Sequence, residues 1–245
     1  MESIPFQVIS DTQIQIQNKL LDNILSSKEP KDVELASTKC HPKILIPTIA
    51  YIYNYAFQNF PESNITIIPR TKESINFPNE FELDTISLEI HDVDQVKVTC
   101  FGGTFDHIHY GHRLLITASC ILAESKIIIG INHQTSKKKL NNLIQPFHQR
   151  ASNVLDLVYK INENLIIDIR AIEDAAGPAG TSDEVGLLIL SQETYSGGTY
   201  VNKVREQNHL QTIPFYVIPL INNRSGQILS STMIRENINE HMQEQ

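Results

Sequence analysis

The side chains with the most chemistry in them sit in one run, Phe101, Gly102, Gly103, Thr104, Phe105, Asp106, His107, Ile108, His109, Tyr110, Gly111, His112. Gly102 and Gly103 let the backbone turn sharply and come close to an anion, and Thr104 adds a hydroxyl donor. His109 and His112 are three residues apart, so at the start of a helix they project from one face, beside the partial positive charge of the helix N-terminus. Gly111 between them leaves room for a ligand to lie against the backbone. A lone histidine or a lone glycine pair would carry little weight. Together, between a strand and a helix, they outline a phosphate cradle. A zinc reading is weaker: no third ligand stands at a recognisable spacing, so no metal held by the protein alone is expected.

The elements that must position this loop follow from the texture of the chain, which changes near His91, Asp92, Val93 and Asp94. Downstream, apolar runs alternate with amphipathic stretches, the pattern of βαβ units building a parallel sheet. Strands are predicted at Val96 to Phe101, Ile127 to Ile131, Leu165 to Ile169, Leu187 to Leu190 and Pro214 to Leu220. Helices are predicted where Leu114, Leu115, Ala118, Ile121 and Leu122 form one apolar stripe and Phe147, Ala151, Val154, Leu155, Val158 and Ile161 another. Pro146 suits the first turn of the second helix. In such a doubly wound sheet ligands bind at the carboxyl ends of the strands, where the glycine and histidine loop lies. Upstream, residues 1–93 form a smaller accessory α/β region. Strands are predicted at Phe6 to Ile9, Ile65 to Ile68 and Ile86 to Ile90, a helix at Ile44 to Phe60, and loops at Lys28 to Lys31 and Pro69 to Glu80. Tyr51, Tyr53 and Tyr55 cannot all face one side of that helix, so it is either partly exposed or buried on more than one side.

Gly-Gly-Thr-Phe-Asp-x-x-His-x-Gly-His resembles the signature of the HxGH nucleotidyltransferases, which join a nucleoside monophosphate to a phosphate group and release pyrophosphate. Near the C-terminus, Ile228, Leu229, Ser230, Ser231, Thr232, Met233, Ile234, Arg235 is similar to their second motif, at the start of a helix. The resemblance implies a Rossmann-like doubly wound parallel sheet over residues 94–245. It also implies nucleotide binding by Gly102, Gly103, Phe105, Gly111, Ser230, Ser231, Thr232 and Arg235.

Further segments resemble one branch, the phosphopantetheine adenylyltransferases of eukaryotic and archaeal type, a domain also found in coenzyme A synthase. They are Leu143 to Phe147 with Arg150; Gly177 and Pro178 leading to Asp183; Ser191, Gln192, Glu193, Thr194; and Gly197 and Gly198 through Asn202 and Arg205. The substrates so implied are ATP and 4'-phosphopantetheine. A phosphate monoester is largely a dianion at neutral pH, its second pKa being about 6, and needs no catalytic base. The site must instead align two polyanions and stabilise the oxygens at the transferring phosphorus. His109 and His112 would donate to those oxygens, and Thr104 would hold the incoming phosphate. Lys138, with Lys137 close behind, would take the family's substrate-phosphate role, and Arg205 would add a contact from its helix. Glu193 would order the loop around the nucleotide, and Arg150 would cap or pair on the surface of its helix. Mg2+ would arrive with ATP, leaving Asp106 to shape the loop. No G-x-x-x-x-G-K-[ST] loop is present, so a monofunctional adenylyltransferase is expected. A cytidylyltransferase or an idle nucleotide-binding scaffold are the alternatives.

Composition sets the outer bounds. With 245 residues, 41% hydrophobic and 20% charged, the chain can bury a sizeable core. A net charge of −8 argues against a nucleic-acid binder that relies on a broad basic face. No signal peptide or membrane-length apolar run is visible, so the expected address is the cytoplasm, with the nucleus open. Cys40, Cys100 and Cys120 are read as buried thiols. Any protein partner would be met through residues 1–93.

Overall fold

The computed structural model describes residues 1–10, 12–38, 41–75, 77, 82–89 and 91–244. It divides into two compact units, Met1–Asp94 with Ile221–Gln227, and Gln95–Leu220 with Ile228–Gln245. The short segment 221–227, which the sequence places in the downstream region, thus belongs with the first unit. Among the described residues no helix is long and apolar enough to cross a membrane.

The first unit is a five-stranded sheet made of β1 (Glu2–Ser10), β2 (Gln13–Ile16), β3 (Lys31–Ser37), β4 (Ile65–Thr71) and β5 (Asp84–Ser87), in the order β4-β3-β1-β2-β5. β1, β3 and β4 run parallel, while β2 and β5 are antiparallel additions. Two helices, α1 (Asn18–Leu25) and α2 (Pro42–Asn59), connect them. The period of two along the strands puts Ile4, Phe6, Ile14, Ile16, Val33, Leu35, Ile65 and Ile67 wholly out of water. β4 continues through Pro69, where a loop was expected; it is an edge strand, so the missing N–H of proline breaks no ladder on its open side. The α2 tyrosines are held from two directions. Tyr53 is fully buried and its oxygen accepts from the Ile67 N–H at 2.9 Å, while Tyr51 and Tyr55 donate to Asn18 and Asp22 of α1 at 3.1 and 2.6 Å. β2, α1 and β3 were not legible in advance. Cys40 and Ile90, to which the sequence assigns a buried thiol and a strand end, lie outside the described residues.

The second unit follows the expected alternation: β6 (Val96–Gly103), α3 (Tyr110–Leu122), β7 (Ala123–Asn132), α4 (Phe147–Ile161), β8 (Ile166–Ile172), β9 (Leu187–Ser191), α5 (Tyr195–Gln207), β10 (Phe215–Ile218) and α6 (Ser231–Gln243). Its five strands are all parallel, in the order β10-β9-β6-β7-β8. The chain winds outward from β6 through β7 to β8, then crosses to β9 and β10. The reversal of winding therefore lies between β6 and β9, the place where an open sheet of this kind leaves a crevice at its carboxyl edge. Pro146 is the N-cap of α4, one position before the helix.

Close packing of α5 on the sheet depends on one glycine. A Cβ at Gly198 would lie 2.5 Å from Leu190 Cδ1 and 3.1 Å from the Phe215 ring, whereas one at Gly197 would meet nothing within 4 Å. Gly198→Ala is expected to destabilise by about 1–3 kcal/mol through overpacking. Gly197→Ala should instead stabilise by up to about 1 kcal/mol through helix propensity. Thermal unfolding of the two variants checks this; equal midpoints would show that α5 does not sit so close.

Candidate active site

The loop from Thr104 to His109, between β6 and α3, carries two non-glycine residues in the left-handed region, Phe105 at φ 54° and His107 at φ 44°. Such backbone costs about 1–2 kcal/mol per residue and persists only where the surroundings hold it. Phe105 is wholly buried, edge-on to Phe101 with ring centroids 5.6 Å apart and 5.4 Å from His112. It lies across Gly103, where any Cβ would come within 3.1 Å of the ring. The His107 N–H donates to Gln145 Oε1 at 3.0 Å, and its Nε2 lies 3.0 Å from the Leu143 carbonyl. Phe105, expected to meet nucleotide, is instead the plug that seats the loop: with no exposed surface its side chain has nothing to offer a ligand.

Asp106, between the two strained residues, joins three segments. Its Oδ1 accepts from the Gln145 N–H at 2.8 Å and its Oδ2 from Arg235 Nη1 at 2.6 Å, while its carbonyl accepts from Ser231 Oγ at 2.7 Å. Asp106 is 0% exposed and Arg235 2%. Arg235 also donates to the Lys139 carbonyl at 3.1 Å and to Thr232 Oγ1 at 3.1 Å. The expected triphosphate contact of Arg235 is therefore replaced by a structural one, because its charge is spent on a buried carboxylate. Ser230 caps α6 by accepting from the Met233 N–H at 3.3 Å. With all three hydroxyls engaged, what the α6 start leaves open is the amides of Ser231 and Thr232, which have no intrahelical acceptor.

Two other arginines are tertiary clamps. Arg150, expected on the helix surface, is 2% exposed and donates to the carbonyls of Gln145 (2.9 Å), Asn132 (3.0 Å) and Thr104. It ties the ends of β6 and β7 to the segment before α4. Arg205, expected at the substrate phosphate, is likewise 2% exposed and donates to Gln211, Ala179 and Ser182 carbonyls, each at 2.7 Å. It does not join the cluster, since its buried guanidinium is held by three backbone carbonyls.

His109 is the N-cap of α3, and its Nδ1 accepts from the Gly111 N–H at 3.2 Å. That bond assigns the proton to Nε2, the outer nitrogen. A Cβ at Gly111 would stand 3.1 Å from His109 Cε1, so this glycine makes room for the histidine ring rather than for a ligand. The His109 and His112 rings lie nearly stacked, centroids 3.9 Å apart at 30°. His112 Nδ1 is buried without a hydrogen-bond partner among the described residues. Burial, with the Arg113 charge adding to it, pushes His109 down to about 4, and burial with the neighbouring His109 holds His112 well below its usual range. Both rings are thus neutral at pH 7.

The unfolded chain takes up protons on these rings near pH 6.5, whereas in the folded one His109 does so only at about 4 and His112 well below its usual range. Their contribution to stability is complete above about pH 6.5 and declines as pH falls toward 4. Thermal melts between pH 7.5 and 4.5 should show a shallower acid decline for His109→Asn, which keeps a capping side chain but removes the imidazole. An identical decline in the two proteins would mean that His109 does not titrate this way.

The remaining expected site residues are open to solvent or half-buried. Gly102 is exposed, and Thr104 is half-buried with a hydroxyl that makes no hydrogen bond among the described residues. Lys137 and Lys138 are exposed, whereas Lys139 pairs with Glu236 of α6. Glu193 is exposed in the 3-10 turn Gln192–Thr194 after β9, beside the reversal of winding. No cluster of three or more potential metal ligands occurs among the described residues, and both carboxylate oxygens of Asp106 are already taken.

A family model described as cytidylyltransferase-like matches residues 100–237. A phosphopantetheine adenylyltransferase of Saccharomyces cerevisiae is 33% identical over 161 residues, 62% of this chain and 53% of that protein. The chain therefore spans about half the length of the yeast protein. One from Pyrococcus furiosus is 32% identical over 143 residues, 57% of this chain and 87% of that protein. A Schizosaccharomyces pombe protein described as uncharacterized is 27% identical over 256 residues, covering 91% of this chain and 79% of its own length. That last likeness takes in much of the first unit as well.

Proposed function

The chain belongs to the cytidylyltransferase-like family, where its relatives include phosphopantetheine adenylyltransferases of the eukaryotic and archaeal type, and from that premise we propose that it transfers AMP from ATP to 4'-phosphopantetheine. The products are dephospho-coenzyme A and pyrophosphate. The observation that carries the reading is the pair of neutral imidazoles at the start of α3, at the carboxyl edge of the central strand, beside an Asp106 carboxylate whose two oxygens are both engaged.

The acceptor phosphate, already a dianion, attacks the α-phosphorus of ATP in line with the departing pyrophosphate. Thr104 Oγ1 and Lys138, or Lys137 beside it, hold the acceptor phosphate. His109 Nε2–H and an N–H of His112 donate to oxygens on the transferring phosphorus, where negative charge grows. Donors fixed in a water-poor site stabilise that charge without reorganising, which is where the rate comes from. The amides of Ser231 and Thr232 at the α6 start face the β- and γ-phosphates, and Glu193 orders the loop on the far side of the crevice. Mg2+, brought by ATP and held mainly by its phosphates and water, would screen the two polyanions from each other. Arg235, Arg150 and Asp106 keep these groups in place.

The free buried thiols Cys100 and Cys120 fit a reducing compartment such as the cytoplasm. The direct test is incubation with ATP, Mg2+ and 4'-phosphopantetheine. Dephospho-coenzyme A and pyrophosphate should form in equal amounts. Turnover of CTP with an alcohol phosphate, and none with ATP, would move the protein to the cytidylyltransferase reading.

A further inference from the structure

The segment between β7 and α4, which carries Lys137, Lys138 and Lys139, is a built loop. The His133 N–H donates to the Ile172 carbonyl at 2.9 Å, which fixes the start of the loop on the end of β8. The Lys138 N–H donates to the Thr135 carbonyl at 3.0 Å and Asn141 Nδ2 to the Ser136 carbonyl at 3.0 Å, closing a turn around Lys137 and Lys138. Leu140 stands in the left-handed region at φ 52°, a costly place for a residue with a Cβ, so its surroundings must hold the chain there. On one side its carbonyl accepts from the Leu143 N–H at 3.0 Å, within the 3-10 turn Asn141–Leu143.

On the other side the hold comes from α6. Arg235 Nε donates to the Lys139 carbonyl at 3.1 Å, and the Lys139 ammonium pairs with the Glu236 carboxylate. Consecutive residues of one helix thus take the backbone and the side chain of one lysine. The same guanidinium donates through Nη1 to Asp106 Oδ2 at 2.6 Å, so the loop that carries Thr104 and the loop that carries the lysines hang on a single buried side chain. Lys137 and Lys138, inside the turn, are exposed. The Lys139 side chain is also 66% exposed, and an ion pair so open to water adds little to folding; what it fixes is where the loop sits.

We propose that Arg235 and Glu236 anchor the lysine loop at Lys139 and thereby present Lys137 and Lys138 to the acceptor phosphate, making Lys139 and Glu236 positioning residues for the acceptor. The run of three lysines is then divided: one is spent on the anchor and two are left for the ligand. The identity of the acceptor rests on the proposed transferase reaction, while the anchoring stands without it.

Glu236→Gln in the full chain separates an anchor from a phosphate ligand, because the two roles give opposite signs. If Lys139 anchors, loss of its partner lets the loop wander, and KM for 4'-phosphopantetheine should rise about three- to fivefold, the upper end of what one exposed ion pair is worth, with KM for ATP and the melting temperature unmoved. If Lys139 instead binds phosphate, the same change frees its ammonium and KM for the acceptor falls. Lys139→Met should match Glu236→Gln. Lys139→Glu with Glu236→Lys, which remakes the pair in reverse, should restore the acceptor KM. Hydrogen exchange over residues 138–144 should quicken in both single variants and return toward wild type in the reversed pair. The single variants reach the anchor from opposite sides, so either one serves if the other does not fold. An acceptor KM that falls or stays put in Glu236→Gln, an equal rise in KM for ATP, or no recovery in the reversed pair overturns the proposal. If wild type makes no product while exchange responds and recovers, the transferase reading fails and the anchor remains.

Discussion

Arg235→Met is expected to cost about 3–5 kcal/mol of folding stability, because it leaves the Asp106 carboxylate charged, buried and without its cation. Urea unfolding measures this directly. The same variant should lose most of its turnover, since Ser231 and Arg235 together bring the α6 start to the loop that carries His109. A double variant, Asp106→Leu with Arg235→Met, removes both charges and should recover a large part of the stability. It should not recover turnover, because the loop still lacks the side-chain bonds from position 106 to the Gln145 N–H and to Arg235. A phosphate-binding arginine behaves in the opposite way: its loss raises KM for ATP and leaves the unfolding midpoint where it was. That pattern would sink the structural assignment made for Arg235.

His112→Ala should lower kcat about a hundred- to a thousandfold, the usual loss for one donor at a developing charge. ATP affinity should fall much less, because the donor is used most fully in the transition state. The His112 ring also packs against Phe105 and His109, so part of any loss could come from a loosened loop. His109→Asn separates the two effects. Asparagine is a good N-cap and should preserve α3, yet its shorter amide does not reach where Nε2 stands. Both variants should therefore be folded and slow. Equal losses in kcat and in ATP affinity, measured by calorimetry on the same proteins, would assign the histidines a structural role.

The order of elements in the second unit was legible because its strands are continuous apolar runs and its helices carry clear stripes, as burial on both faces of a parallel sheet requires. In the first unit β2, α1 and β3 were missed: the strands span four and seven residues and interleave polar with apolar ones, and the helix has eight residues. Short segments of that kind are stabilised by their neighbours rather than by local pattern.

Candidate site residues divided along a similar line. The loop from Gly102 to His112 announced itself through residue types that are seldom combined without a ligand. Arg150, Arg205 and Arg235 were misjudged because charged side chains are usually exposed, and their partners here are mostly backbone carbonyls, which carry no sequence signature. Bonds from α2 to residues 221–227 join positions more than 160 apart in sequence. By itself, then, the sequence determined the parallel sheet, the candidate site loop and the family, since all three are written in local spacing. Only the tertiary structure decided which charges hold the fold, because that depends on burial and on acceptors brought close by distant parts of the chain.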